Sequence, residues 1–261
     1  MIPLKTLPDA TRPPVCTRIL AVSIALVWVL QLGYLVLGHS DLAAQWGMRP
    51  ACYFHPSSCG VGGVALPALG FGQLRQWGAS GFGHLMLSPL FSLWLHADWW
   101  HVGFNLLFLL VFGGAVENEV GRPQFVGLYL MGGLVATLCH LVFHPASYMP
   151  TIGASGAIAA ILGAYFWRLP RAWVLTYFPP VFVFPVPAPL FGVLWLGAQF
   201  VGVGSDLHLP FLATGQGANV AWMAHLGGFA WGAWTGWRGR KRSGAKIRPR
   251  VAHSRASNVG K

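Results

Sequence analysis

The stretch TIGASGAIAAILGAYFW, residues 151–167, decides the fold because it combines a short apolar run with small residues at helical spacing. Those small residues are Gly156, Ala160 and Gly163. A second apolar segment, residues 218–237, carries three glycines that follow His225 at steps of three or four: Gly228, Gly232 and Gly236. Small residues on one face let two helices approach closely. The sequence therefore predicts that these helices pack together and bring His225 to Ser155.

The composition around these two segments is that of a membrane protein. Of 261 residues, 55% are hydrophobic and only 9% are charged, whereas a soluble domain carries about 25% charged residues. Six segments are apolar and approach the length of a membrane helix: residues 19–38, 99–116, 124–143, 153–167, 181–203 and 218–237. The fold class that we predict is all-α, a polytopic membrane bundle of six transmembrane helices.

Two regions depart from a plain helical span. Pro185, Pro187 and Pro189 are expected to break the first part of the fifth segment. The first loop, residues 39–98, is long, and its apolar stretch 85–95 is too short to span a membrane. Such a stretch is typical of an interfacial or re-entrant segment.

The basic residues predict a topology. Of the 17 Lys and Arg, only Arg49 and Arg75 fall in loops on one side of a six-span bundle. Cytoplasmic loops carry the excess of positive charge, so both termini are expected in the cytoplasm. The predicted domains are a cytoplasmic N-terminal segment, residues 1–18, a membrane domain, residues 19–237, and a basic, disordered tail, residues 238–261.

The charge also bears on partners. The net charge of +11 is concentrated in the tail that follows the last apolar segment. A basic tail in this position favours contact with anionic membrane lipid over nucleic-acid binding. We therefore expect membrane lipid and no nucleic acid among the partners.

Four cysteines are too few for a disulfide scaffold. Cys52 and Cys59 lie close together in the first loop, and they can pair if that loop faces an oxidising compartment. The sequence leaves this pairing open. Cys16 and Cys139 are expected to be unpaired.

The acidic residues limit the chemistry, because none of the six Asp and Glu lies in the middle of an apolar segment. This argues against a buried Ser-His-Asp triad and against proton relays through carboxylates. Ser155 lies in the stretch 151–156 that opens the short fourth segment, and the unpaired N–H groups at the start of such a helix favour an anion such as the oxyanion of acyl transfer. His225 is then a candidate base. The alternatives, a small packing serine and a buried histidine bonded to a carbonyl, stay open.

A third group of polar residues precedes and begins the second segment. His101 and Asn105 lie on one helix face, and both can donate hydrogen bonds. A metal site formed by His96, Asp98 and His101 does not match the His-Glu-x-x-His spacing of zinc ligands. We expect no metal and no cofactor.

Three motifs in this order resemble the rhomboid family of intramembrane serine proteases. They are His101 with Asn105, Gly-Ala-Ser-Gly at residues 153–156, and Ala-His-Leu-Gly-Gly at residues 224–228. Gly-Gly-Ala-Val-Glu at residues 113–117 and the Pro-rich entry to the fifth segment also look like the family. The resemblance covers about residues 85–237.

The resemblance implies roles for the matching residues. Ser155 is the expected nucleophile, and His225 the general base and acid of a catalytic dyad. His101 and Asn105 are expected to help form the oxyanion hole with the backbone N–H of Ser155. The other matching residues are supporting glycines, a structural acid and a loop histidine of open role: Gly153, Gly156, Gly228, Glu117 and His96.

Two features depart from the family pattern. Many members carry an aromatic residue one turn after the serine, packed on the catalytic histidine, where this chain has Ala159. Trp222 or Phe229 is therefore expected to orient His225. The Trp-Arg pair found in the first loop of some bacterial members is also missing from this sequence.

The function implied is an endopeptidase that cuts the transmembrane segments of other membrane proteins. The alternative is a catalytically inactive rhomboid-like protein that binds membrane clients. A channel or transporter is disfavoured, because buried charges and clear repeats are missing. A short N-terminus without a transit signature predicts a bacterial inner membrane. The sequence does not define the substrate, the cut site or the oligomeric state.

Overall fold

The computed structural model describes residues 1–7, 10–39, 41–59, 81–206 and 221–243, and these residues are mostly helical. The helices in chain order are α1 (Val15–Val36), α2 (Leu42–Trp46), α3 (Pro50–Phe54), α4 (Gly81–Phe91), α5 (Trp99–Val120), α6 (Arg122–Phe143), α7 (Ser155–Arg168), α8 (Ala188–Asp206) and α9 (Trp222–Ser243). Each of the six predicted apolar segments overlaps one helix, in order α1, α5, α6, α7, α8 and α9, with ends that differ by several residues.

Among the described residues, α1, α5 and α6 are long and apolar enough to cross a membrane. The helix α7 has only 14 residues, and the apolar part of α8, Ala188–Val201, is also shorter than a full span. The count of six transmembrane helices therefore stays a prediction. The last helix, α9, continues beyond its predicted end at residue 237. The rest of the tail, predicted to be disordered, and the loop segment 60–80 with Arg75 lie outside the described residues.

The prediction of an all-α fold is wrong in one region, where three strands form an antiparallel sheet in the order β1-β2-β3. They are β1 (Ile2–Leu7), β2 (Trp173–Phe178) and β3 (Phe182–Pro187). In β2, Val174 and Thr176 are buried and alternate with more exposed neighbours, which is the pattern of a strand. Pro185 and Pro187 lack a backbone N–H, and an edge strand such as β3 tolerates them. The predicted proline break is confirmed, because α8 begins only at Ala188.

The helix α7 lies at the centre of the bundle, and its residues are buried over most of its length. On one side it packs against α9. A Cβ atom at Gly163 would overlap the carbonyl oxygen of Phe229, and one at Gly232 would overlap the carbonyl oxygen of Ala160. The two helices therefore touch backbone to backbone, which confirms the packing predicted from the small residues.

The helix α6 covers another side of α7 in the same way. A Cβ atom at Gly156 would lie 2.5 Å from the Cβ of Ala136, and one at Gly132 would overlap the Cβ of Ala160. Small residues thus line both faces of α7. Close packing of this kind is what holds helices together where lipid surrounds them, because burial of apolar surface gains little there.

Glu117 ties α1 to α5. Its carboxylate accepts hydrogen bonds from the N–H groups of Cys16 (3.0 Å) and Thr17 (2.8 Å), and from the Thr17 hydroxyl (2.8 Å). A carboxylate at a helix N-terminus pairs N–H groups that the helix leaves free, and it lies at the positive end of the dipole. The side chain is 3% exposed, and Arg122 lies 3.7 Å from it. Glu117 therefore has the structural place that the family resemblance implied.

The first loop packs onto the turn that precedes α7. Met48 and Thr151 pair through two backbone hydrogen bonds, of 3.1 and 2.7 Å, and the N–H of Gly153 donates to the carbonyl of Ser92 at 2.8 Å. Cys52 and Cys59 form a disulfide in this loop, which answers the question that the sequence left open. The loop and the 3₁₀ turn that follows α4 (Ser92–Trp94) thus hold the chain just before Ser155.

The contact between α7 and α9 generates a stability prediction. In Gly232→Ala the new methyl group meets the backbone of Ala160, so we expect the free energy of unfolding in detergent to fall by about 1–3 kcal/mol, as overpacking does. The matched control is Gly127→Ala on α6, where nothing lies within 4 Å of the added Cβ. That control should keep or slightly raise the thermal unfolding midpoint, because Ala favours a helix over Gly. Equal midpoints for the two variants would contradict the packing described.

Candidate active site

Ser155 is the first residue of α7, and it follows the constrained turn that Met48 and Ser92 hold. Gly153 in that turn has φ +115°, a conformation that side-chain-bearing residues rarely adopt. The residue before Ser155, Ala154, provides no side-chain cap. The first N–H groups of α7 are therefore not satisfied by a capping side chain, and they remain available to an acceptor at this end of the helix.

His225 lies on α9, directly against Ser155. Its Nε2 atom is 2.8 Å from Ser155 Oγ, and its Nδ1 atom is 2.7 Å from Oε1 of Gln199 on α8. The structure therefore brings together the predicted nucleophile and the predicted base at hydrogen-bond distance. Three helices meet at this point, and each contributes one polar side chain.

Gln199 is the residue that the sequence reasoning missed. It is 5% exposed, and its amide nitrogen donates to the carbonyl of Trp195 at 3.1 Å. A polar residue inside an apolar segment is a signal of function by itself. That signal was present in residues 181–203, but nothing in the sequence indicated that Gln199 would face His225.

Aromatic side chains lie beside His225, although the chain has Ala159 at the position where many family members have an aromatic residue. The Trp222 ring stands edge-on to the imidazole at 5.9 Å between centroids, and the Trp195 ring lies 6.2 Å away. Phe229 stacks on Trp195 at 5.7 Å. Of the two aromatics expected to orient His225, Trp222 is thus in direct contact, whereas Phe229 acts through Trp195.

His101 and Asn105 on α5 face the turn before Ser155. A Cβ atom at Gly153 would lie 2.6 Å from His101 Nε2 and 3.6 Å from Asn105 Nδ2. The missing side chain of Gly153 therefore leaves open a space that both nitrogens border. Asn105 is 6% exposed, and its Nδ2 finds no hydrogen-bond partner within the described part of the chain. A buried donor without an acceptor is costly, and a ligand oxygen in this space would satisfy it.

The proton on His101 can be placed from its neighbours. The N–H of Ala97 points at His101 Nδ1 across a long 3.5 Å contact, and a backbone N–H can only donate. Nδ1 is then the acceptor, so that the neutral ring carries its proton on Nε2. Asp98 caps α5 by accepting from the N–H of His101 at 2.9 Å. The Nε2–H group is therefore a second donor beside Asn105.

His96 has a structural place. Its N–H donates to Gln31 Oε1 at 3.0 Å, and its carbonyl accepts from Gln31 Nε2 at 3.1 Å. Burial, together with the nearby His101, lowers the pKa of His96 to about 3, so the ring is neutral at physiological pH. Asp98 is engaged as a helix cap, and no group of His, Cys, Asp or Glu in the described residues is arranged to hold a metal ion.

A small cleft lies in front of Ser155. Its walls include Ser92, Gly133, Thr137, Gly153 and Ala224, and it offers about 20 Å³ to the centres of water molecules. A volume of about 10–15 Å³ open to water centres is enough to hold one water molecule. The cleft therefore has room for the single water that a hydrolysis consumes.

Comparisons with known proteins identify similar chains. A family model described as Rhomboid domain matches residues 78–242, more than half of the chain. Rhomboid protein 1, mitochondrial, of Saccharomyces cerevisiae is 28% identical over 155 residues, which are 58% of this chain and 41% of that protein. RHOMBOID-like protein 12, mitochondrial, of Arabidopsis thaliana is 31% identical over 167 residues, covering 58% of this chain and 45% of that protein.

A human protein is similar over a longer stretch. The Presenilin-associated rhomboid-like protein, mitochondrial, of Homo sapiens is 27% identical over 177 residues, which are 65% of this chain and 42% of that protein. The chain thus spans less than half the length of the curated relatives that it matches. All three relatives are mitochondrial by name, which points away from a bacterial location. The expected bacterial inner membrane, with its cytoplasmic termini, is therefore wrong.

The geometry of Ser155 and His225 generates a chemical prediction. A fluorophosphonate reagent should label the purified protein, and Ser155→Ala should abolish the label because Oγ is the attacking atom. His225→Ala should slow labelling by about 100-fold or more, the usual effect of a missing general base. The rates are measured by mass spectrometry of the intact protein.

A serine outside the cleft provides the control. Ser147→Ala, in the segment between α6 and α7, should label at the rate of the starting protein. Labelling that survives in Ser155→Ala, or an unchanged rate in His225→Ala, would contradict the assigned nucleophile and base.

Proposed function

The chain belongs to the rhomboid family, and from that premise we propose that it is a serine endopeptidase that cuts transmembrane segments of other proteins. Ser155 is the proposed nucleophile and His225 the proposed base. The observation that carries the proposal is the 2.8 Å contact between Ser155 Oγ and His225 Nε2. A nucleophile within hydrogen-bond reach of a base is the geometry that such chemistry requires.

The proposed reaction begins with proton transfer from Ser155 Oγ to His225 Nε2 as Oγ attacks the substrate carbonyl carbon. The carbonyl oxygen gains negative charge in a tetrahedral intermediate. His225 then gives the proton to the leaving amine, and the C–N bond breaks to leave an acyl ester on Ser155. Water, activated in turn by His225, hydrolyses the ester and restores the serine.

The oxyanion of that intermediate is proposed to sit beside Gly153. The donors available to it are the side-chain nitrogens of His101 and Asn105, and the backbone N–H of Ser155. Removing one such donor raises the barrier by about 3–4 kcal/mol. The unpaired Nδ2 of Asn105 supports this assignment, because the donor waits for an acceptor in the resting protein.

The proposed membrane arrangement has six spanning helices, which correspond to the predicted membrane domain, residues 19–237: α1, α5, α6, α7, α8 and α9. A polar site and a water cleft are tolerated at membrane depth only where protein encloses them. Membrane lipid is then the surrounding solvent, and the exposed apolar side chains of α1 and α8 face it. The substrate is proposed to reach Ser155 with a locally unwound segment, since a helical backbone keeps its carbonyls in hydrogen bonds.

The alternative function is a rhomboid-like protein that binds membrane clients without cutting them. Ala159 was the feature in its favour, because the aromatic residue that commonly holds the histidine is missing. In this chain Trp195 and Trp222 contact His225 instead. The geometry around the base therefore favours the protease over the binder.

The first functional prediction concerns cleavage itself. Purified protein in liposomes should cut a model single-span substrate, and Ser155→Ala should lower the rate by at least about 1,000-fold while the protein keeps its fold. Products are followed on gels and the cut site is read by mass spectrometry. Equal cleavage by both proteins would contradict the proposed nucleophile. No cleavage by either protein, together with no probe labelling, would favour the client-binding alternative.

The second functional prediction concerns the substrate. A span with Gly near its outer end should be cut faster than the same span with Leu at that position, because Gly lowers the cost of unwinding a helix by about 1 kcal/mol. The ratio of kcat/KM for the two substrates is the measurement. A ratio of about one across a panel of such pairs would contradict a step in which the substrate helix unwinds.

A further inference from the structure

We propose that Gln199 is a positioning residue for His225, and that it holds the imidazole in the tautomer that a base requires. The inference rests on the proposed function of Ser155 and His225. In a Ser-His-Asp triad the third residue performs this task with a carboxylate. Here the third residue is a neutral amide on α8, buried to 5% exposure and 2.7 Å from His225 Nδ1.

The orientation of the Gln199 amide follows from its other partner. One end of the amide lies 3.1 Å from the carbonyl oxygen of Trp195. A carbonyl oxygen can only accept, so the NH₂ end of Gln199 must be the end that faces Trp195. The amide oxygen is then the end that faces His225.

The orientation of the amide in turn determines the proton on His225. An amide oxygen has no proton to donate, so Nδ1 of His225 must carry one and donate it to Gln199. In the neutral ring Nε2 is then left with a free lone pair. That lone pair lies 2.8 Å from Ser155 Oγ, ready to accept its proton. The hydrogen bonds thus run in one direction, from Ser155 through His225 and Gln199 to the carbonyl of Trp195.

Without Gln199 the second tautomer becomes available. In that form Nε2 carries the proton and faces Ser155 Oγ as a donor, so it cannot accept the serine proton. The surrounding aromatic rings of Trp195 and Trp222 restrict the position of the imidazole, but they provide no acceptor for Nδ1. Among the described residues, the hydrogen-bond acceptor of His225 Nδ1 is Oε1 of Gln199.

A glutamine performs only part of what a carboxylate does in a triad. It selects the tautomer and the ring orientation, but it carries no negative charge to stabilise the imidazolium that forms during the reaction. The side chains that hydrogen-bond His225 are Gln199 and Ser155, and both are neutral. No carboxylate is available to this site within the described residues. Gln199 therefore sets the tautomer and the direction of the hydrogen bonds, and it contributes no charge.

The test compares two substitutions that keep the length of the side chain. Gln199→Met removes the acceptor, and we expect kcat to fall by about 100-fold or more, with KM within about twofold of the starting protein. Gln199→Glu keeps an acceptor oxygen in the same place, and it should recover kcat to within about tenfold of the starting protein. The neighbouring Phe200, which is 58% exposed, provides the control Phe200→Met, for which no change in kcat is expected.

Two results would overturn the proposal. One is a kcat within about threefold of the starting protein in Gln199→Met. The other is an equal loss in Gln199→Met and Gln199→Glu accompanied by lower thermal unfolding midpoints, which would make Gln199 a residue needed only for packing. An unchanged KM with recovery in Gln199→Glu supports the positioning role, because a packing residue would not distinguish the two substitutions.

A spectroscopic readout separates this proposal from the proposed function. In protein labelled with ¹⁵N-histidine, the signals missing from His225→Ala identify the ring of His225. They should show the Nδ1–H tautomer in the starting protein and a mixture of tautomers in Gln199→Met. If no substrate is cut, the proposed function fails, but the tautomer of His225 still tests whether Gln199 orients its ring. An Nε2–H tautomer in the starting protein would overturn the role of Gln199 even if cleavage occurs.

Discussion

The contact between the backbones of α7 and α9 is the constraint on which the rest of the structure depends. It exists because the facing positions are glycines, Gly163 on α7 and Gly228 and Gly232 on α9. In lipid, helices gain little from burying apolar surface against each other, and close packing of small residues supplies the attraction. The same approach brings one side chain from each helix into reach, Ser155 from the start of α7 and His225 from α9. The close approach of α7 and α9 at these glycines thus explains both the helix packing and the placement of Ser155 beside His225.

The groups around this pair come from separate parts of the chain and meet it from different sides. The helix α5 presents nitrogen donors toward Gly153, while α8 presents the acceptor of Gln199 and the ring of Trp195. The first loop and the 3₁₀ turn after α4 hold the backbone before Ser155 by hydrogen bonds. Asn105 and Gln199 are buried beside the half-buried Ser155 and His225, and electrostatic interactions are stronger in such surroundings than in bulk water. Such a site acts mainly through preorganisation, because its hydrogen-bond donors are in place before a substrate binds.

Much of this arrangement could be predicted from the sequence, because the relevant signals are periodic and local. Glycine spacing predicted which helices touch, and the polar residues in apolar segments pointed to Ser155 and His225. Contacts between distant segments carried no such signal. The strand β2 pairs with β3 beside it and with the chain's first strand, about 170 residues away, and the six-helix prediction left Trp173–Phe178 between two apolar segments, where no strand was expected. Gln199 stood alone in an apolar segment, and its orientation toward His225 depends on helix rotation, which hydropathy does not determine.

The expected membrane was wrong for a different reason. That expectation rested on the short segment before the first apolar segment. Such a segment is weaker evidence for location than the relatives that match the domain itself. The pairing of Cys52 with Cys59 was left open because it depends on the compartment that the first loop faces, which residue spacing does not determine. Both cases show that physical arguments from spacing apply best inside regular helices.

The central proposal is that the turn before α7 holds an oxyanion between donors from α5 while Ser155, deprotonated by His225, attacks the substrate carbonyl. A structure of the protein after reaction with a fluorophosphonate tests it most directly, because the phosphonyl oxygen occupies the place of the oxyanion. The account predicts phosphorus bonded to Ser155 Oγ, with that oxygen within about 3.2 Å of Asn105 Nδ2 and of His101 Nε2. An adduct on another residue, or a phosphonyl oxygen that turns away from Asn105 toward solvent, would contradict it.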